Sequence, residues 1–95
     1  VSQVIYKYPL NASDGLATVK LPSGAIVLST GMDGLQQLCL WALVDKNEKT
    51  TKLRDFLVLV TGEPTSDSIL SGKFIGTVKI HEYPCLIVHV IQVEA

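Results

Sequence analysis

Residues 38–62 read LCLWALVDKNEKTTKLRDFLVLVTG, two apolar runs joined by a short charged loop. Each run is too short for a stable helix and is rich in Leu, Val and aromatic residues, so the pattern is that of a β-hairpin. Within a strand over Leu35–Asp45, period two places Leu38, Leu40, Ala42 and Val44 on one face. Gln37, Cys39, Trp41 and Leu43 fall on the other. Both faces are largely apolar, which predicts a central or sandwiched strand. The second strand, Leu53–Thr61, sets Phe56, Val58 and Val60 against Leu57, Leu59 and Thr61.

The same grammar extends in both directions. Upstream, Val1–Leu10 is a strand closed by Pro9, and the run from Asn11 to Gly15 is a turn cluster. Leu16–Leu21 and Ala25–Thr30 are short strands separated by a turn at Pro22-Ser23-Gly24. Gly31-Met32-Asp33-Gly34 reads as a tight hairpin turn. Downstream, Thr65–Gly72 has room for one helical turn with Ser66 or Asp67 as N-cap. Strands at Phe74–His81 and Leu86–Val93 follow, joined by a turn at Glu82-Tyr83-Pro84. The expected fold is therefore all-β: about seven mostly antiparallel strands in a small sandwich or partly open barrel, with at most one short helical turn. Consecutive pairing is the default for such short connections. A homodimer that covers one open edge fits this class.

Composition narrows the function classes. The chain is one domain, residues 1–95, with 47% apolar and 18% charged residues, a balance that excludes a disordered chain. Eight basic residues against nine acidic ones give a net charge of −1, which offers no general attraction for nucleic acid or an anionic membrane. No apolar run is long enough for a transmembrane helix, and no signal peptide is visible at the first residues. Cys39 and Cys85 lack metal-type spacing, and both are expected to be buried, reduced thiols. Asn11-Ala12-Ser13 matches a glycosylation sequon, read here as chance.

Candidate chemistry is sparse. His81 and His89 are the two histidines, and irregular spacing favours hydrogen-bonded structural roles over a zinc site. There is no nucleophile elbow, and Ser71-Gly72-Lys73 lacks the residues and the following helix of a phosphate loop. Trp41 is expected in the core. Tyr6 and Tyr8 share one face of the first strand and would form an interface or stacking surface if that strand is an edge. Lys46, Lys49, Lys52 and Arg54 lie in or beside one loop and form a candidate phosphate- or acid-binding tip, diluted by Asp45, Glu48 and Asp55.

Several segments together resemble a family of small uncharacterised proteins of bacteriophages and prophages. They are Lys7-Tyr8-Pro9-Leu10, the run from Leu21 to Ser29, the run from Leu40 to Asp45, Thr61-Gly62, the run from Phe74 to Val78, and Val88-His89-Val90. The order and spacing cover nearly the whole chain, although Thr30-Gly31-Met32 departs from the family's strand end. The resemblance transfers no activity and no functional residue. It implies a phage or mobile-element accessory protein in the bacterial cytoplasm.

The expectation is a non-enzymatic protein that binds a protein partner, a host factor being one version, and that pairs with itself. The alternative is a small-molecule or nucleotide binder with a pocket at a dimer interface, drawing phosphate contacts from the lysines and stacking from the tyrosines. Nucleic-acid binding is disfavoured by the charge, and no cofactor is expected.

Overall fold

The computed structural model describes residues 2–82 and 85–93. Seven strands form two antiparallel sheets: β1 (Gln3–Pro9), β2 (Leu16–Pro22), β3 (Ile26–Met32), β4 (Leu38–Asp45), β5 (Thr51–Val60), β6 (Lys73–Glu82) and β7 (Cys85–Gln92). One sheet has the order β1-β4-β3 and the other β2-β5-β7-β6. A single 3₁₀ turn, Asp67–Ser71, interrupts the β5–β6 connection. The result is an open sandwich, not a closed barrel.

The alternation seen in the sequence sets the layers. Leu40, Ala42 and Val44 of β4 face inward and are buried against Ala17, Val19 and Leu21 of β2, Phe56 of β5, Val78 of β6, and Val88 and Val90 of β7. Phe56 is the largest of the fully buried side chains. No polar or charged residue is buried among the described residues. At one flank the two sheets come close where Gly76 meets β3; a Cβ there would stand 2.9 Å from Thr30 Cγ2.

Three expectations need correction. First, β4 and β5 are not a hairpin. β4 pairs with β1 and β3, while β5 pairs with β2 and β7, so the charged loop crosses between the sheets. Only β3–β4 and β6–β7 are consecutive pairs. The reason lies in the apolar inner faces of both strands: in opposite layers Leu40 and Phe56 enter one shared core.

Second, the β3–β4 turn lies later than the glycines suggest. β3 continues through Gly31 to Met32, and β4 begins only at Leu38. Asp33 organises the intervening loop, its Oδ1 accepting hydrogen bonds from the amides of Leu35 and Gln37 at 2.8 and 2.9 Å. Gln36 takes the positive φ, at 62°. An Asx-type bond has replaced glycine as the turn-forming device.

Third, Cys85 is exposed at the start of β7, whereas Cys39 is buried; both are free thiols. Trp41, expected in the core, is half-buried on the outward face of β4. The 3₁₀ turn does follow Ser66 as its N-cap, without a side-chain cap bond. The turn at Tyr83-Pro84 and the side chain of His81 lie outside the described residues.

Candidate functional site

The outward face of the three-stranded sheet carries an apolar row that spans all three strands. Register sets Ile5, Leu43 and Ile26 side by side in one row, and Lys7, Trp41 and Ser29 in the next. Ile5 is 58% exposed and Ile26 52%. A bulge between Val27 and Ser29 leaves Leu28 outside the ladder, also exposed. Trp41 lies against Gly31, where a Cβ would come within 3.3 Å of its ring. An isolated apolar side chain on a surface means little, but a row of them around a tryptophan is a feature of interaction surfaces.

A salt bridge frames this face. Lys7 Nζ donates to Asp33 Oδ2 at 2.9 Å, which joins β1 to the β3–β4 turn. The Lys7 ammonium and the turn amides hold the Asp33 carboxyl down at about 2, below its ordinary 3.8. Lys7 is raised in turn, first by that hydrogen bond and then by the carboxylate charge. Cys39 lies in register with Pro9 and Gly31, its thiol 3.5 Å from the Gly31 carbonyl oxygen. Burial, and after it the Asp33 charge, push that thiol up, which favours the protonated, packed form of Cys39.

The outward face of the other sheet carries a groove of about 340 Å³. Leu59, Ile69, Phe74 and Ile91 supply its apolar walls, and Thr61, Glu63 and His89 its polar groups. The 3₁₀ turn is seated there because Gly72 lacks a side chain: a Cβ would stand 2.6 Å from Ile91 Cγ2. His89 is held between two hydroxyls. Thr61 Oγ1 is 2.7 Å from Nε2 and Thr77 Oγ1 is 2.9 Å from Nδ1. The Thr61 hydroxyl donates to the Ile87 carbonyl at 3.3 Å, which leaves its oxygen to accept from Nε2–H. Nδ1 then accepts from Thr77, a tautomer assigned from the hydrogen-bond network. With both nitrogens engaged, His89 is a hydrogen-bonded structural residue, as its place between Ile87 and Ile91 suggests. No group of three or more His, Cys, Asp or Glu side chains suited to a metal ion occurs among the described residues.

The residues singled out in the sequence fall in two places. Tyr6 and Tyr8 lie on β1, an edge strand, and share the face of Val4, which packs against the core. Tyr8 is half-buried and packs there too, while Tyr6 is 49% exposed. Burial, and then the neighbouring Tyr6, raise the Tyr8 hydroxyl's pKa. Lys46 and Lys49 occupy the β4–β5 loop, and Lys52 and Arg54 alternate along β5 opposite Leu21 and Val19. Among the described residues no hydrogen bond or ion pair joins these cations to the tyrosines. Sequence reasoning missed the Ile5–Leu43–Ile26 row, the Lys7–Asp33 bridge and the groove. The row and the bridge each bring β1 against residues more than twenty positions away, and the groove needs β7 set between β5 and β6. The one local signal was the apolar second face of β4.

Along its length the chain matches a family model described as a domain of unknown function, and among the described residues no helix is long and apolar enough to cross a membrane. No curated protein and no solved structure matches it. With residues 1–95 all covered by that match, the chain belongs to the family of the domain of unknown function DUF7352.

Proposed function

We propose that the chain is a non-enzymatic interaction module that binds a protein partner through the outward face of its three-stranded sheet. The observation that carries this reading is the outward row Ile5–Leu43–Ile26, with exposed isoleucines on either side of a half-buried leucine, beside Trp41 and Leu28. Apolar side chains grouped around a half-buried tryptophan suit the centre of a protein interface, and Lys7 and Asp33 suit its polar rim. The resemblance noted above supplies the context: a phage or mobile-element accessory protein acting in the bacterial cytoplasm, with a host factor as partner.

The test is capture of a partner from bacterial lysate, followed by reconstitution with the purified partner. Ile26→Asp should weaken binding at least tenfold, whereas Leu70→Asp, on the 3₁₀ turn and 83% exposed, should leave it unchanged. Equal binding by wild type and Ile26→Asp contradicts the proposal.

The groove over His89 favours a second reading, a small-molecule binder, because its volume lies within the range of ligand sites, roughly 300–1,000 Å³. None of the lysines assigned to phosphate contacts lines it, so its ligand would be apolar with one or two polar groups, not a nucleotide. A thermal-shift panel of such compounds tests it. Stabilisation that Phe74→Ala abolishes supports the reading, and an unchanged melting temperature across the panel opposes it.

A further inference from the structure

Of the four edge strands, β1 alone is left open and regular. β2 presents its even-numbered residues to solvent, because Gly15 and Ser23 bond to β5 and its connecting loop. Leu16 exchanges both backbone bonds with Ser13, and Pro22 has no N–H, so little of that edge can pair. β3 is bulged and packs against β6 at Thr30 and Gly76. β6 carries two register shifts, between Phe74 and Gly76 and between Lys79 and His81. β1 keeps unbroken register with β4 from Gln3 to Pro9. Edge strands are normally blunted by bulges, prolines or free charge. Here Pro9 stands at the end, and the single lysine is neutralised by Asp33 at 2.9 Å.

Which backbone groups are open follows from the ends of the ladder. Lys46 N–H bonds to the Ser2 carbonyl and Leu10 N–H to the Leu38 carbonyl, both at 2.9 Å. Antiparallel alternation then turns the even residues of β1 toward β4 and the N–H and C=O of Gln3, Ile5 and Lys7 toward the open edge.

We propose that a second copy of the chain docks on this edge, antiparallel to β1, about a two-fold axis at Ile5. In this register Ile5 exchanges both backbone bonds with the partner's Ile5, and Gln3 does so with the partner's Lys7. Pro9 falls outside the new ladder. A shift that centres the axis on Tyr6 would instead set Pro9 against the partner's Gln3 and lose a donor. The chosen register opposes no like charges. It continues the row Ile26–Leu43–Ile5 into the partner's Ile5, Leu43 and Ile26, and it places Tyr6 beside the partner's Val4. The two three-stranded sheets become one six-stranded sheet with an isologous interface. This pairing is independent of whether another protein binds the outward face.

The test uses the whole chain with Cys85→Ser, which removes the exposed thiol. Native mass spectrometry should show a dimer, and Ile5→Lys, at a position already 58% exposed, should return it to monomer with an unchanged circular dichroism spectrum. Ile5→Cys should cross-link on mild oxidation, since a hydrogen-bonded antiparallel pair has Cα atoms about 5.5 Å apart, within disulfide reach. Thr18→Cys on the β2 edge should not. With no substitution in β1, the amides of Gln3, Ile5 and Lys7 should exchange slowly when concentrated and faster on dilution. A monomeric chain, a dimer indifferent to Ile5→Lys, cross-linking through Thr18→Cys instead, or uniformly fast exchange at those amides overturns the proposal.

Discussion

At the scale of single residues, the Asp33 carboxylate accepts three hydrogen bonds from two separate parts of the fold. Its two oxygens fix the Leu35 and Gln37 amides and the Lys7 ammonium, so one carboxylate sets a turn and ties it to β1. Its folded pKa, about 2, is below the ordinary 3.8. A group depressed on folding stabilises the fold above its unfolded pKa and loses that contribution as pH falls through the folded value. Thermal stability should therefore decline between about pH 4 and pH 2, in part through Asp33. Asp33→Asn should lower the melting temperature at neutral pH and flatten that decline, as melting curves across the acid range will show. The thiols give a second prediction. An aromatic disulfide reagent should label Cys85 quickly in the folded chain and reach Cys39 only on unfolding, because one is exposed and the other buried. Equal labelling rates would contradict the placement of Cys39 behind Pro9 and Gly31.

At the scale of elements, the alternation in β4 was legible from sequence and the partner strands were not. Leu38, Leu40, Ala42 and Val44 do face inward, and β4 is the central strand of its sheet, paired with β1 on one side and β3 on the other. Period two states which side chains share a face, but it does not state which strand lies alongside. The link from β4 to β5 could close a hairpin or cross between layers, and the choice falls to nonlocal packing around Phe56. The turn was misplaced for a related reason. Gly31 is needed for the approach of Trp41, not for a positive φ, so its presence pointed to the wrong device. The sequence put Tyr6 and Tyr8 on one face of their strand but left open whether that strand is an edge, and the outward row containing Ile5 depends on registers that no local pattern encodes. Two element-scale predictions follow from packing. Phe56→Ala should cost about 3–5 kcal/mol in urea unfolding, since the ring is wholly buried between the sheets. Gly72→Ala should cost about 1–3 kcal/mol and lift the 3₁₀ turn from Ile91, because the added methyl meets both Ile91 Cγ2 and the Gln92 carbonyl.

For the whole molecule, the distribution of exposed apolar surface matters more than any single group. The core is closed by small and medium aliphatic side chains around one phenylalanine, while isoleucine, leucine and tryptophan side chains are left on the outward face of the smaller sheet. A chain with a net charge of −1 has little long-range attraction to guide association, so binding through this face would rest on shape and apolar contact. Affinity should accordingly change little between low and moderate salt, in contrast to a nucleic-acid complex. The most direct measurement is hydroxyl-radical footprinting of the chain, free and in complex with its captured partner. The proposed binding role predicts that Trp41, Ile26 and Leu28 become protected in the complex while Phe74 and Leu70 keep their reactivity. Unchanged labelling of Trp41 together with protection of Phe74 would contradict it and move the binding surface to the groove over His89.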